Sequence, residues 1–365
     1  MVEVGLDTFG DLQADTDGNL LTHAQTLRNL VEEAVLADKV GFDVFGIGEH
    51  HREDYAVSAP DMLLAAIAAR TANIHLTTSV IVLSSDDPVR IFERFSTLQA
   101  ISNGLAEIQL GRGSFTESFP LFGYDLRDYE ALFEEKLDLV RTLHDADASR
   151  EPFSWSGTTR ASLELASVYP RTDQPLLTWV AVGGSPESVV RAARQRMKLM
   201  LAITGGAPVR FKPFVDLFHQ ANEQLGQPRN SVGAHVHGFV AKTDEEAAER
   251  MYPHWHRSRT LIGRDRGWPD PTPEQFYNEI RHGALHLGSP ETVAQKTART
   301  IRELGLDRLV FKYSNDSAPW RGGIRIGIWS VAVINEFRGL IITSAGVEGV
   351  LLGRDDGSEF GHGAL

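Results

Sequence analysis

Three polar residues, Glu49, His50 and His51, directly follow an apolar segment of strand character at 41–48. Histidine can act as a general base, as a hydrogen-bond donor to a developing anion, or as a metal ligand. Adjacent side chains on a strand point to opposite faces, so at most one of the two histidines can face a given pocket. A neighbouring carboxylate can fix which ring nitrogen carries the proton. The segment therefore predicts one functional histidine with Glu49 beside it.

A glycine-containing turn at 182–188, "VGGSPES", has the composition of an anion site. Gly183 and Gly184 follow a predicted strand, and Ser185 stands at the cap of a helix whose first turn includes Ser188. Free backbone N–H groups and the positive end of the helix dipole would suit a phosphate group. An ordinary capped turn has the same composition, so both interpretations stay open.

A second turn, "GRGSF" at 111–115, places Arg112 between two glycines at the end of another strand. The guanidinium could reach a phosphate or a carbonyl, and the two glycines, Gly111 and Gly113, would let a planar ligand approach the backbone. A structural ion pair between Arg112 and a carboxylate is the alternative.

Three further histidine pairs have spacings found among metal ligands. The chain contains no HExxH motif, and no acidic residue stands at an obvious ligand spacing. A TIM-barrel metallohydrolase that uses the first pair is therefore an alternative function. The pairs are His235 and His237 on a predicted strand, His282 and His286 at helical spacing, and His254 and His256.

Short apolar runs alternate with amphipathic stretches along the chain, and eight strand signals emerge in this way. Alternating strands and helices predict a parallel sheet, and eight strands favour an α/β fold of the closed (β/α)8 TIM-barrel type. The segments 145–174 and 243–286 break the alternation, so we interpret them as insertions over the C-terminal rim. The active site of such a barrel lies at this rim.

The composition restricts the class of protein. The chain has 365 residues, a formal net charge of -13, no run of basic residues and no cysteine. Nucleic-acid binding, disulfides and cysteine nucleophiles are therefore not expected. The first residues lack signal-peptide character, and no segment has the roughly 20 apolar residues that span a bilayer. We expect a cytoplasmic protein that does not bind membranes.

Several motifs in the same order resemble the bacterial luciferase-like flavin-dependent monooxygenase family. The Glu-His-His motif is followed by "IVL" and "DPVR" at 81–90, "SNGLAEIQLGRG" at 102–113, "VAVGGSPES" at 180–188 and "VFKYSN" at 310–315. The resemblance covers about 2–320. Leu105 replaces an arginine that is common in relatives.

The resemblance implies an enzyme that binds reduced FMN, supplied by a separate flavin reductase, and uses O2 to oxidise a small organic substrate through a flavin C4a-hydroperoxide. It implies His50 as the essential histidine, with Glu49 near the flavin ring, and a non-proline cis peptide between Ser79 and Val80. Deazaflavin F420 with hydride transfer is the alternative within the fold. The implied cofactor contacts are Ser79, Val80, Arg112, Gly113, Ser114, Gly183, Gly184, Ser185 and Ser188.

The resemblance also implies a homodimer formed by helices that follow the early strands. It gives a barrel domain at 1–320 and leaves 321–365 as an atypical C-terminal tail. This tail is rich in glycine and has poor helical periodicity, which suggests a degraded or frameshifted closing helix.

Overall fold

A computed structural model of the protein describes residues 2–15, 17–113 and 115–313. The predicted cofactor contact Ser114 and the predicted tail at 321–365 lie outside the described residues. No helix in the described part of the chain combines the length and apolar character that crossing a membrane requires.

The strands of the described residues form a large parallel sheet and one small antiparallel hairpin. They are β1 (Glu3–Thr8), β2 (Val44–Ile47), β3 (His75–Thr78), β4 (Ile81–Val82), β5 (Glu107–Gly111), β6 (Phe153–Trp155), β7 (Leu163–Ala166), β8 (Leu177–Val182), β9 (Lys198–Ala202), β10 (Val232–Val240), β11 (Leu285–Gly288) and β12 (Arg308–Lys312).

The helices follow the strands and cover the outside of the sheet. They are α1 (His23–Val40), α2 (Pro60–Ala68), α3 (Pro88–Ile101), α4 (Ser118–Leu121), α5 (Tyr129–Ser149), α6 (Pro186–Arg194), α7 (Lys212–Gln224), α8 (Asp244–Arg266), α9 (Pro273–Arg281) and α10 (Pro290–Leu304).

The large sheet is a barrel. Its strand order is β3-β2-β1-β12-β10-β9-β8-β5-β4, and an isolated parallel bridge between Leu76 and Ala106 joins β3 to the residue before β5. Because β3 and β4 are two pieces of one predicted strand, the described part of the barrel has eight strand positions. The predicted (β/α)8 TIM barrel is confirmed.

Local sequence signals explain where the helices begin and end. Thr22 caps α1 by accepting a hydrogen bond from the Gln25 N–H, and Gly41 ends this helix in the left-handed conformation with φ of 88°. Asp87 caps α3 just before Pro88, which already has the φ of a first helical turn. Thr22 and Asp87 thus set where the rim loops before α1 and α3 end, whereas Gly41 lies in the loop that leads into the start of β2.

The register of the strands brings the ends of β1, β10 and β12 to one level of the barrel. Asp7 pairs with Lys312, and Lys312 pairs with His237. Parallel strands end on the same side, so the loops after all of these strands meet at one rim. The polar residues at the strand ends are therefore neighbours.

The two insertions contain the short hairpin and the helical parts that their sequences suggest. The segment 145–174 contains the end of α5 and the β6–β7 hairpin, and 243–286 contains α8, α9 and the start of β11. The strand β11, which pairs with the end of β10, was not predicted. It anchors the helical insertion to the barrel rim.

Candidate active site

His50 faces a cavity at the rim and is enclosed by aromatic rings. Its ring stacks on Tyr55 with centroids 4.2 Å apart, and the rings of Phe9 and Phe115 lie 5.0 and 5.6 Å away. Its backbone N–H donates to the carbonyl of Val57 at 2.9 Å. The buried Nδ1 atom has no hydrogen-bond partner among the described residues. The His50 ring lines the cavity, although this nitrogen itself is buried.

Burial lowers the pKa of His50 to about 4, against an opposing effect of the Asp11 carboxylate, while the charge of Lys312 adds to the shift. The imidazole is therefore neutral near pH 7. A neutral ring can accept a proton or hydrogen bond on one nitrogen and donate from the other.

Glu49 contacts His51 and not His50. Its carboxylate lies 2.8 Å from His51 Nε2 and accepts the backbone N–H of Val82 at 3.0 Å. Its own N–H donates to the carbonyl of Val80 at 3.1 Å. Glu49 thus fixes the chain just after β2 against β4, and the two histidines have different surroundings, since His51 contacts Glu49 while His50 stacks on Tyr55.

The peptide bond between Ser79 and Val80 is cis, as the resemblance implies. Ser79 Oγ donates to Asp7 Oδ2 at 2.5 Å, and the same oxygen lies 2.6 Å from His235 Nδ1. The other oxygen, Asp7 Oδ1, is buried without a partner among the described residues. Sequence reasoning missed Asp7, although an acidic residue inside an apolar strand was a usable signal.

A second buried acid lies nearby and is paired. Lys312 Nζ contacts the two carboxylate oxygens of Asp11 at 3.0 and 3.1 Å and lies 4.8 Å from the centre of the Phe9 ring. Lys312 ends β12, so this pair brings a charge from the last barrel strand to the loop after the first.

Arg112 forms an ion pair with Glu130, so the structural role that the sequence left open is present. Its guanidinium also lies 5.3 Å from the centre of the Tyr129 ring. The next residue, Gly113, has φ of 75°, which favours glycine. Glu130 lies in the first turn of α5, and its carboxylate also reaches Arg191 near the turn after β8.

The turn after β8 presents hydroxyl and guanidinium groups together. Ser185 caps α6 by accepting the N–H of Ser188 at 3.2 Å, and its hydroxyl donates to the Ser188 hydroxyl at 2.9 Å. Arg191 Nη1 donates to Ser188 Oγ at 3.3 Å and Nη2 lies 3.5 Å from Glu130 Oε2. Glu130 therefore links Arg112 to this turn. Sequence reasoning missed Arg191, which stands one helical turn after Ser188.

The cavity beside His50 has a volume of about 390 Å³. Gly183 lines it together with His50 and Phe115 on one side, and residues of α8 such as Trp255 line the other. The cavity thus connects the Glu-His-His segment, the turn after β8 and the helical insertion. Trp179 of β8 does not line this cavity. Its indole N–H donates to Glu107 at 2.7 Å inside the barrel.

The luciferase-like monooxygenase family model matches residues 8–308 of the chain. The chain belongs to this family. Its members include monooxygenases, so the protein is an oxidoreductase of the luciferase-like type.

Individual relatives of this luciferase-like protein are distant. It is 30% identical over 155 residues to limonene 1,2-monooxygenase of Rhodococcus erythropolis, which covers 42% of this chain and 39% of that enzyme. The matches to curated relatives of 30 to 35% identity span about a third of the length of those relatives, 32 to 39%. A match over so short a part of a relative does not establish that this chain shares its activity or substrate.

Solved structures share the fold. The oxygenating constituent of 3,6-diketocamphane monooxygenase from Pseudomonas putida, in complex with FMN, superposes with a TM-score of 0.70 at 20% identity, over 92% of this chain and 96% of that one. An F420-dependent secondary alcohol dehydrogenase in complex with an F420-acetone adduct gives 0.70 at 16% identity, over 91% and 99%.

The residues of the luciferase-like chain fit a flat, phosphorylated group. A Cβ atom built on Gly183 would meet nothing within 4 Å, so the space above this turn is open. Arg112, Arg191 and the hydroxyls of Ser185 and Ser188 supply the donors that a phosphate needs. His50 lines the same cavity as Gly183.

The predicted histidine pairs suit a metal ion less well than the cavity suits a flat, phosphorylated group. His235 and His237 share a face of β10 with ring centroids 5.9 Å apart, but His235 is engaged with Asp7. The helical spacing expected for His282 and His286 is wrong, because His282 ends α9 and His286 lies buried in β11. Among the described residues, no three His, Cys, Asp or Glu side chains are grouped as metal ligands would be.

Proposed function

We propose that the protein is an FMN-dependent monooxygenase that uses reduced FMN and O2 to oxidise a small organic substrate. The observation that supports this proposal is one cavity bordered both by neutral His50 and by Gly183 of the glycine-containing turn after β8. Reduced FMN supplies two electrons and two protons, so that one oxygen atom enters the substrate and the other leaves as water.

The phosphate of FMN would bind at the turn after β8 and at Arg112. The hydroxyls of Ser185 and Ser188 and the free N–H groups that follow Gly183 and Gly184 suit a phosphate at a helix N-terminus. Arg112 and Gly113 supply charge and space from the end of β5. For this binding, Arg112 must exchange its contact with Glu130 for the phosphate.

The ring system of the flavin would lie between the rim and the cis peptide. Ser79 and Val80 form the floor in this arrangement, and Asp7 fixes the Ser79 hydroxyl from below. Glu49 holds β4 through the Val82 N–H and so keeps this floor aligned with His50. The aromatic residues around His50 limit the entry of water, which protects reactive species from hydrolysis.

His50 would transfer protons during the reaction. Its low pKa leaves the ring neutral at physiological pH, so it is ready to accept a proton from the substrate or cofactor. We further propose a separate flavin reductase as the source of reduced FMN, a homodimer formed by helices after the early strands, and a cytoplasmic location.

F420-dependent hydride transfer is the second candidate. It is supported by a fold neighbour, the F420-dependent secondary alcohol dehydrogenase, whose TM-score of 0.70 equals that of the FMN complex. Anaerobic titration of the protein with reduced FMN and with reduced F420, followed by absorbance, separates the two. We expect binding of reduced FMN at least about tenfold tighter than binding of reduced F420, equivalent to about 1.4 kcal/mol. Tighter binding of F420 would contradict the proposal.

A further inference from the structure

Arg259 of α8 directs its guanidinium to the cavity that contains His50. The side chain is partly buried, and Nη2 donates to the Thr204 carbonyl at 2.8 Å. Within the described ranges, this guanidinium forms no ion pair with a carboxylate. Arginine has five N–H donors, and this one therefore keeps most of them for another acceptor.

The acidic residues on the same cavity are already occupied. Glu279 accepts the N–H of Gly206 at 2.9 and 3.1 Å and the N–H of Ala284 at 3.1 Å. Asp11 is paired with Lys312 at 3.0 Å. Glu279 keeps its negative charge on this wall, but its oxygens are engaged by backbone N–H groups, so the N–H donors of Arg259 not used by Thr204 remain for a ligand.

The wall around Arg259 is aromatic. Its guanidinium lies 5.8 Å from the centre of the Trp255 ring, and Trp268 lines the same cavity. Towards His50 the cavity continues between Tyr55 and Phe115. A ligand that contacts Arg259 with a polar end would therefore place an apolar body along aromatic rings.

We propose that the substrate is an organic carboxylate, held by Arg259 through its carboxylate group and oxidised at the end that faces His50. The planar fork of a guanidinium matches a carboxylate with two parallel hydrogen bonds. Because the carboxylate of Glu279 lines the same cavity, a second negative charge on the ligand would be repelled, which favours a monoanionic carboxylate over a dianionic phosphate ester. This substrate class rests on the proposed oxidation at His50, but the binding of the carboxylate does not.

The test uses matched pairs of ligands on the flavin-free protein. Phenylacetate and octanoate are titrated against their neutral amides, and binding is followed by tryptophan fluorescence, to which Trp255 and Trp268 contribute. We expect each carboxylate to bind about tenfold more tightly than its amide, as charge-assisted hydrogen bonds provide. The Arg259→Gln variant should lose this preference, and Arg259→Lys should keep part of it because the charge remains without the fork.

Arg264→Gln is the matched control, since Arg264 is an exposed arginine of the same helix that does not line the cavity. This variant should bind like the wild type. Equal binding of acid and amide to the wild type, a preference that survives in Arg259→Gln, or tighter binding of phenyl phosphate than of phenylacetate would each overturn the inference. A titration with FMN on the same variants separates the proposals: if FMN fails to bind while the carboxylate preference stands, only the flavin function is lost.

Discussion

At the scale of the residue, His50 combines burial, aromatic neighbours and an unpartnered nitrogen. Replacing it with alanine should leave FMN binding intact and lower oxygen-dependent turnover by about 10² to 10⁴-fold, the usual contribution of a positioned acid or base. The control is His282→Asn, an exposed histidine that does not line the cavity. Unchanged turnover in His50→Ala with normal FMN binding would show that His50 has no catalytic role.

The pH dependence of turnover follows from the same residue. The pKa of His50 is lowered from 6.5 to about 4, so the neutral ring dominates at pH values well above 4 and becomes protonated as the pH falls through that value. The wild-type rate should therefore decrease on the acid side near pH 4, and this limb should be absent from the residual rate of His50→Ala. The stability of the fold changes with pH in the same direction. Because burial disfavours the charged ring, the contribution of His50 to the free energy of unfolding is greatest above pH 6.5 and decreases as the pH falls from 6.5 towards 4.

At the scale of the element, we expect α6 to contribute Arg191 as well as its cap to the proposed phosphate site. Arg191 contacts the Ser188 hydroxyl at 3.3 Å, so Arg191→Met should weaken FMN binding about tenfold through the loss of one charged hydrogen bond. Riboflavin has the same ring system without the phosphate, and its affinity should not change. Arg194→Met, an exposed arginine of the same helix, is the control. An equal loss for FMN and riboflavin would place Arg191 outside the phosphate site.

The elements also explain what the sequence could and could not predict. The eight barrel strands were recognisable because each is a short, largely apolar run and the runs alternate with amphipathic helical segments, some of them with clear caps such as Thr22 and Asp87. The strand β11 is short and follows a polar insertion, so its pairing with β10 depends on tertiary contacts. Arg259 could not be assigned to the cavity, because its position depends on how α8 crosses the rim. Asp7 was visible in the sequence, but its contact with His235 joins residues 228 positions apart.

At the scale of the whole molecule, a buried ion pair joins the barrel at the end opposite the active site. Arg308 at the start of β12 donates to both carboxylate oxygens of Glu107 at 2.5 and 2.9 Å, and to Glu3 at 2.6 Å. Trp179 of β8 joins the same group of contacts, because its indole N–H donates to Glu107. Together these contacts connect β1, β5, β8 and β12 across the interior. They hold the barrel closed while the rim is free to carry the functional loops.

Glu107→Gln tests this role through the dependence of stability on pH. Burial alone raises the pKa of Glu107, but the charge and hydrogen bonds of Arg308 outweigh burial and hold this pKa well below its usual value of 4.5. Removing one partner of a buried pair costs about 3–5 kcal/mol of unfolding free energy. Since the folded-state pKa is depressed, the contribution is fully present above pH 4.5 and is lost as the pH falls from there through the folded-state pKa. Urea unfolding should therefore show a large difference in stability between wild type and variant at pH 7, and this difference should shrink below pH 4.5.

Glu32→Gln is the control, because it removes an exposed ion pair with Arg70 and should change stability little at any pH. If Glu107→Gln changed stability equally little at pH 7, the buried pair would not stabilise the barrel.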